Sequence, residues 1–277
     1  MLSFMRFTLI SLSMILVPAL EAQQADSAVS AEAGIQDNSF LVEEAYNQEA
    51  GVVQHISTFQ FRHGSSDFAF AFTQEWPFRT IRHQLSYDIP ITRNESRAGL
   101  GDISLNYRYQ LLGNGSARFA LAPRFSLILP TGDWKNSRGN GGTGAEVNLP
   151  ASYVISRALV THFNLGAAGT PSARNTLGDR AGIFEVSAAQ STIVTMSSRF
   201  QPMLEVVYTH GSEVAARDET RTTESFVVAP GARAAFNFKS GLQIVPGFSV
   251  PIGVGPSRSE RGFFLYLSFE HPFKRLR

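Results

Sequence analysis

From about Gly51 onward, polar and apolar residues alternate with a period of two rather than 3.6. Successive side chains of a strand point to opposite faces, so this alternation predicts strands with one apolar and one polar face. In residues 102–111, Ile103, Leu105, Tyr107, Tyr109 and Leu111 share one face, and Asp102, Ser104, Asn106, Arg108 and Gln110 share the other. The pattern recurs in 81–91, where Ile81, Leu85, Tyr87, Ile89 and Ile91 oppose Arg82, Gln84, Ser86 and Asp88. It recurs in 118–130, where Phe119, Leu121, Phe125, Leu127 and Leu129 oppose Arg118, Arg124 and Ser126. Residues 200–208, 226–238 and 263–273 repeat it, with Glu205, Arg233 and Glu270 on their polar faces. Segments near 52–62, 67–78, 142–155, 159–168, 181–195 and 242–252 read similarly, which brings the total to about twelve strands. Short turns near 77–80, 113–116, 156–158, 197–199 and 239–241 alternate with longer polar loops near 92–98, 131–142, 169–179, 212–222 and 253–260. The first connection, near 63–66, is short where a long one is due.

An even number of strands with loops sorted by length predicts an all-β fold: a closed, antiparallel, up-and-down transmembrane β-barrel. A soluble sandwich or lipocalin-like barrel shows the same alternation with its apolar face inward. The polar face separates the two. It carries Arg62, Glu75, Arg82, Asp88, Asp102, Arg108, Arg124, Glu146, Glu205, Arg233 and Glu270, with five cations nearly balancing six anions and no lysine among them. Such a set suits a confined lumen in which guanidinium groups pair with carboxylates, and these eleven residues are the expected lumen lining. In lipid every backbone polar group needs a protein partner, which an edge-free barrel supplies. Twelve strands enclose a lumen between those of eight- and sixteen-stranded barrels. Charged side chains in that space predict a narrow or closed pore with little ion selectivity.

The remaining composition fits. Mean hydropathy is near zero, too polar for a bundle of membrane helices, and the formal net charge of +1 gives no reason to expect a nucleic-acid partner. The absence of cysteine excludes disulfides, thiolate metal sites and a lipoprotein anchor. Residues 1–22 read as a signal peptide, with Arg6 ahead of an apolar run and cleavage expected after Ala19 or Ala22. Residues 23–50 are expected to form a periplasmic lead-in. Its stretch 39–46 reads as a short helix or an irregular segment packed near the periplasmic mouth, with a plug as the other reading. The barrel is expected over 51–273, followed by a basic tail at 274–277. Phe269 and Phe273 are expected to form the C-terminal aromatic signal read by the barrel-assembly machinery, although the tail after Phe273 departs from the usual aromatic ending.

Gly99-Leu100-Gly101-Asp102 opens a strand ending in Tyr107-Arg108-Tyr109, and a second strand ends in Leu129-Pro130-Thr131-Gly132-Asp133 before a Gly-rich loop. A Gly-rich strand with Asn164-Leu165-Gly166 follows. This order resembles the outer-membrane transporter family labelled for the phenol-degradation meta-pathway, most clearly over 98–170. The resemblance implies an outer-membrane barrel of a Gram-negative bacterium that passes small molecules, hydrophobic or aromatic ones included. Both termini are expected in the periplasm, with outer-membrane lipid and the assembly machinery as partners.

Two other functions remain open. One is a structural or surface-binding barrel without transport. The other is an outer-membrane phospholipase-like enzyme, suggested by His63-Gly64-Ser65 and His210-Gly211-Ser212, whose spacing places His and Ser on one strand face. No Asn or Asp is placed to orient either His, so no catalytic residues are assigned. The other His residues lack metal-ligand spacing, and the glycines at 139, 141, 142 and 144 lack the strand-to-helix context of a phosphate loop. No metal and no cofactor is expected.

Overall fold

A computed structural model of the chain describes residues 35, 39–93 and 97–272. The expected signal peptide, most of the expected lead-in, Phe273 and the basic tail lie outside the described residues. Twelve strands are present among those described: β1 Val52–Arg62, β2 Phe68–Phe78, β3 Thr80–Arg93, β4 Gly99–Leu100 with Ile103–Tyr109, β5 Phe119–Leu121 with Arg124–Leu129, and β6 Gly144–Asn148 with Ala151–Ser156. They continue with β7 Leu159–Arg174, β8 Arg180–Val194, β9 Phe200–Ala216, β10 Glu219–Ala234 with Phe236–Asn237, β11 Gln243–Ser249 with Ile252–Gly253, and β12 Gly262–Pro272. Each strand pairs antiparallel with the next, and β1 pairs with β12 from Val52↔Pro272 to Arg62↔Gly262, which closes the barrel. No helix among the described residues is long and apolar enough to cross a membrane, which says nothing of strands.

Three strands break at proline, β11 doing so at Pro251. Pro123 divides β5 and Pro150 divides β6, because proline has no N–H to give the ladder. Both carbonyls stay in use: Tyr109 N–H donates to Pro123 O at 3.0 Å and Ala122 N–H to Pro150 O at 3.1 Å.

The faces are inside-out relative to a soluble protein. Phe59, Phe61, Leu105, Phe125, Phe163, Leu204, Phe263 and Leu265 are exposed, with Leu165 reaching 60%. Gln54, Gln84, Asn106, Arg108, Ser126, Ser152, His162, Ser191, Gln201 and Arg233 are buried, and Glu205 is 0% exposed. With water on the outside this arrangement would bury unfavourable groups and expose favourable ones. With hydrocarbon outside, both preferences are met.

The loop pattern differs from expectation at two places. Residues expected to form the loop 212–222 extend β9 and β10 into a hairpin, with Ser212↔Thr222 and Glu213↔Arg221 in register and a turn at Arg217-Asp218. Asp218 takes φ of 59°, the left-handed conformation Asp tolerates in such turns. Its polar alternation made a strand look like a loop. Likewise β7 runs on to Arg174 through most of the expected loop 169–179.

Candidate functional site

Residues 39–48 are not helical and do not lie outside the mouth. They thread, without regular secondary structure, through the half of the lumen nearest the short turns. A helix would satisfy its own N–H groups, and a stretch this short is marginal as one. Here the wall satisfies them. Phe40 and Leu41 N–H donate to the Glu205 carboxylate at 3.0 and 3.1 Å. Glu43 N–H donates to Asn164 Oδ1 at 2.8 Å, and Asn164 Nδ2 returns a bond to Glu43 O at 2.9 Å. Ala45 N–H donates to Ser152 Oγ at 2.8 Å, Asn47 N–H to Gln110 Oε1 at 2.9 Å and Gln48 N–H to Gln84 Oε1 at 2.7 Å. Arg108 donates to the carbonyls of Glu44 and Tyr46, and Gln110 Nε2 to that of Ala45.

The segment's acidic side chains engage the wall as well. Glu43 accepts from Arg124 Nε at 2.9 Å and pairs with Arg124 Nη2 at 2.7 Å, with Arg108 Nη1 at 3.8 Å. Burial opposes ionisation of Glu43, but Arg124 and Arg108 outweigh it and hold the carboxyl below its ordinary range. Glu44 pairs with Arg233 at 3.0 Å and lies 3.6 Å from His162 Nε2. Burial, and then Glu44, push the Tyr46 phenol up.

Phe40 provides the apolar anchor, its ring centroid 5.7 Å from that of Phe264 and 5.5 Å from that of Tyr266. Gly231 and Gly247 make its socket. A Cβ on Gly247 would come within 2.3 Å of the Phe40 ring, and one on Gly231 within 2.8 Å.

The expected lumen residues fall into two groups. Glu75, Asp88, Arg108, Arg124 and Glu146 form one network: Glu75 lies 3.7 Å from Arg108, Arg124 pairs with Glu146 at 2.7 Å, and Asn106 bridges Asp88 and Arg124. Glu205 and Arg233 hold the start of the segment from other strands, with Arg233 donating to Ile35 O at 3.0 Å. The structure does not bring the rest to the segment. Arg62 and Arg82 are exposed, and Glu270 is half-buried on β12. Asp102 lies between the two pieces of β4 and accepts from Gly132 N–H at 2.9 Å and Asn140 N–H at 2.7 Å, folding the loop 130–143 over it. Phe269 is half-buried on β12, opposite His55.

Reading the charges alone missed the uncharged half of the site: Gln84, Gln110, Asn148, Ser152, His162 and Asn164. Their inward strand parity was the available signal. The two His-Gly-Ser motifs have ordinary roles. Ser65 Oγ accepts from Asp67 N–H at 2.9 Å, and Ser212 Oγ accepts from Phe184 N–H at 3.1 Å.

A family model described as "Putative MetA-pathway of phenol degradation" matches residues 30–265. No curated protein matches the chain. Among solved structures, an outer membrane channel from Pseudomonas putida F1 is similar at 13% identity and a TM-score of 0.63, covering 82% of this chain and 97% of that one. The NanC porin is similar at 10% identity and a TM-score of 0.54, covering 79% of this chain and 99% of that one. At these identities the likeness is one of fold, that of an outer-membrane barrel.

Proposed function

Because the chain belongs to the family described as "Putative MetA-pathway of phenol degradation", we propose that it is an outer-membrane channel for small organic molecules, aromatic ones included. In this conformation its own residues 39–48 close it. The observation that carries the reading is the lumen: a polar, hydrogen-bonding wall inside an apolar belt, holding a segment that belongs to no strand. A barrel that served only as a membrane anchor could fill its interior with wall side chains alone. The apolar belt faces outer-membrane lipid, and both termini lie on the periplasmic side with the short turns. The barrel-assembly machinery would read the C-terminal aromatics. Departure of the segment opens the path.

Planar-bilayer recording of the refolded full chain tests this. The expected record is a largely closed barrel with rare openings, which become frequent in Glu205→Ala. A folded barrel that stays silent in both proteins overturns the channel.

A further inference from the structure

The wall groups around Glu43 and Glu44 are arranged as receptors whose ligand happens to be covalently attached. The Glu43 carboxylate accepts from Arg124 Nε at 2.9 and 3.1 Å and from Asn148 Nδ2 at 3.1 Å. The Glu44 carboxylate sits between Arg233 Nη2 and His162 Nε2. These groups come from β5, β6, β7 and β10, and the wall helps to orient them. Arg124 is fixed by Asn106, Ser126 and Glu146, Arg233 by Gln201 at 2.9 Å, and His162 by Ser152 at 2.7 Å. The wall therefore shares in positioning them, alongside the segment they hold. The side chains of Arg233 and His162 are each 1% exposed. His162 Nε2 has no hydrogen-bond partner, although it points at Glu44 from 3.6 Å.

We propose that the lumen wall contains two neighbouring carboxylate-binding sites, filled at rest by Glu43 and Glu44, and that the solute admitted when the segment leaves is a small carboxylate. The second half rests on the channel reading above. A planar guanidinium matches a carboxylate by parallel hydrogen bonds, and a buried guanidinium is costly to leave without an anion. Selectivity here is short-ranged. Arg108, Arg124 and Arg233 face the wall carboxyls of Glu75, Asp88, Glu146 and Glu205, so directed donors rather than a net positive field choose the ligand. Glu43 and Glu44 compete with the solute for the same donors, which makes the resting segment a stand-in for the cargo.

The chain has no cysteine, and Ser39 is 2% exposed, so a Ser39→Cys background reports departure of the segment by its rate of thiol labelling. In that background Glu43→Ala with Glu44→Ala removes, from each site, a fragment equivalent to acetate. Labelling should speed about tenfold or more, since one partner of each buried pair is lost. Sodium acetate should slow it again in a saturable way, while sodium chloride and acetamide at equal concentration should not. Acetate should not slow labelling when both glutamates are present. Acetate acting no better than chloride, or slowing both proteins alike, overturns the sites. If the double variant fails to fold, Glu44→Ala alone carries the same comparison. Recording in bilayers separates the two halves. Silence in a folded variant that acetate rescues overturns the channel and leaves the sites standing. Conduction that acetate neither blocks nor carries overturns the carboxylate solute and leaves the channel standing.

Discussion

Glu205→Ala should release the segment without disturbing the barrel. The Glu205 carboxylate takes the N–H groups of Phe40 at 3.0 Å and Leu41 at 3.1 Å, and Ser39 beside them donates to Ser191 at 3.1 Å. A hydrogen bond to a charged group contributes about 1.5–3 kcal/mol. The low end applies, because water can refill a lumen from which the carboxylate is gone, so the two bonds together are worth roughly 3 kcal/mol. At about 1.4 kcal/mol per tenfold, the ratio of released to docked segment should rise on the order of 100-fold. The ladder of β9 with β8 and β10 is made by backbone groups and survives the change. In the Ser39→Cys background the assay is the labelling rate in folded protein, with folding checked by the shift in electrophoretic mobility on heating. Labelling within threefold of the parent rate, in protein that still shows the heat shift, would refute the reasoning: the segment would then be held elsewhere, with Phe40 in its socket as the leading anchor.

Gly247→Ala attacks that anchor, since its Cβ would meet the Phe40 ring at 2.3 Å; labelling at position 39 should rise while the polar anchors stay intact. Acidification should loosen the segment through Glu43: its docked pKa lies below the undocked one, so its contribution is complete above the undocked value of about 4.3 and is lost as pH falls through the docked value. Open probability should therefore be flat from this source between pH 6 and 8, the range to record first, and rise below about pH 4. Leu127→Arg, on the exposed face of β5, should cost about 2–4 kcal/mol if the residue lies near the bilayer midplane, read from urea titration of folding into lipid vesicles. Asp102→Ala removes the acceptor of Gly132 and Asn140 N–H, so proteolysis within 130–143 should quicken while the strands remain protected.

The barrel was legible because its signal is repeated. Each strand alternates, and a one-residue slip would turn Phe263, Leu265 and Phe269 inward and Tyr266, Ser268 and Glu270 outward, so parity alone assigns the faces. The same parity placed Arg108, Arg124, Glu205 and Arg233 where the wall holds the segment. It failed where alternation continues beyond the apolar belt, as in Ser212–Thr222, whose strand pairing owes nothing to burial of one face. It did not show that Asp102, at a break in its strand, binds loop 130–143.

A plug was one reading of the segment, but its conformation was not legible, for a physical reason. Its residues obey no period because they are not satisfying their own backbone; Asn164 and Gln110 do that, each offering an amide that donates and accepts as a neighbouring strand would. In a soluble protein an interior of this kind would be expensive, since each buried polar group must be matched. In a barrel whose outer face is the apolar one, the interior is where polar groups belong, and a polar chain is the filler with the most matching groups per residue. The Glu, Asn and Gln residues of 39–48 are what suit it to the lumen. The grip is also one that can be released. Each bond to the wall can be exchanged for one to water, so leaving costs the segment, whose large rings Phe40 and Tyr46 are the main apolar contacts, far less than it would cost an apolar plug.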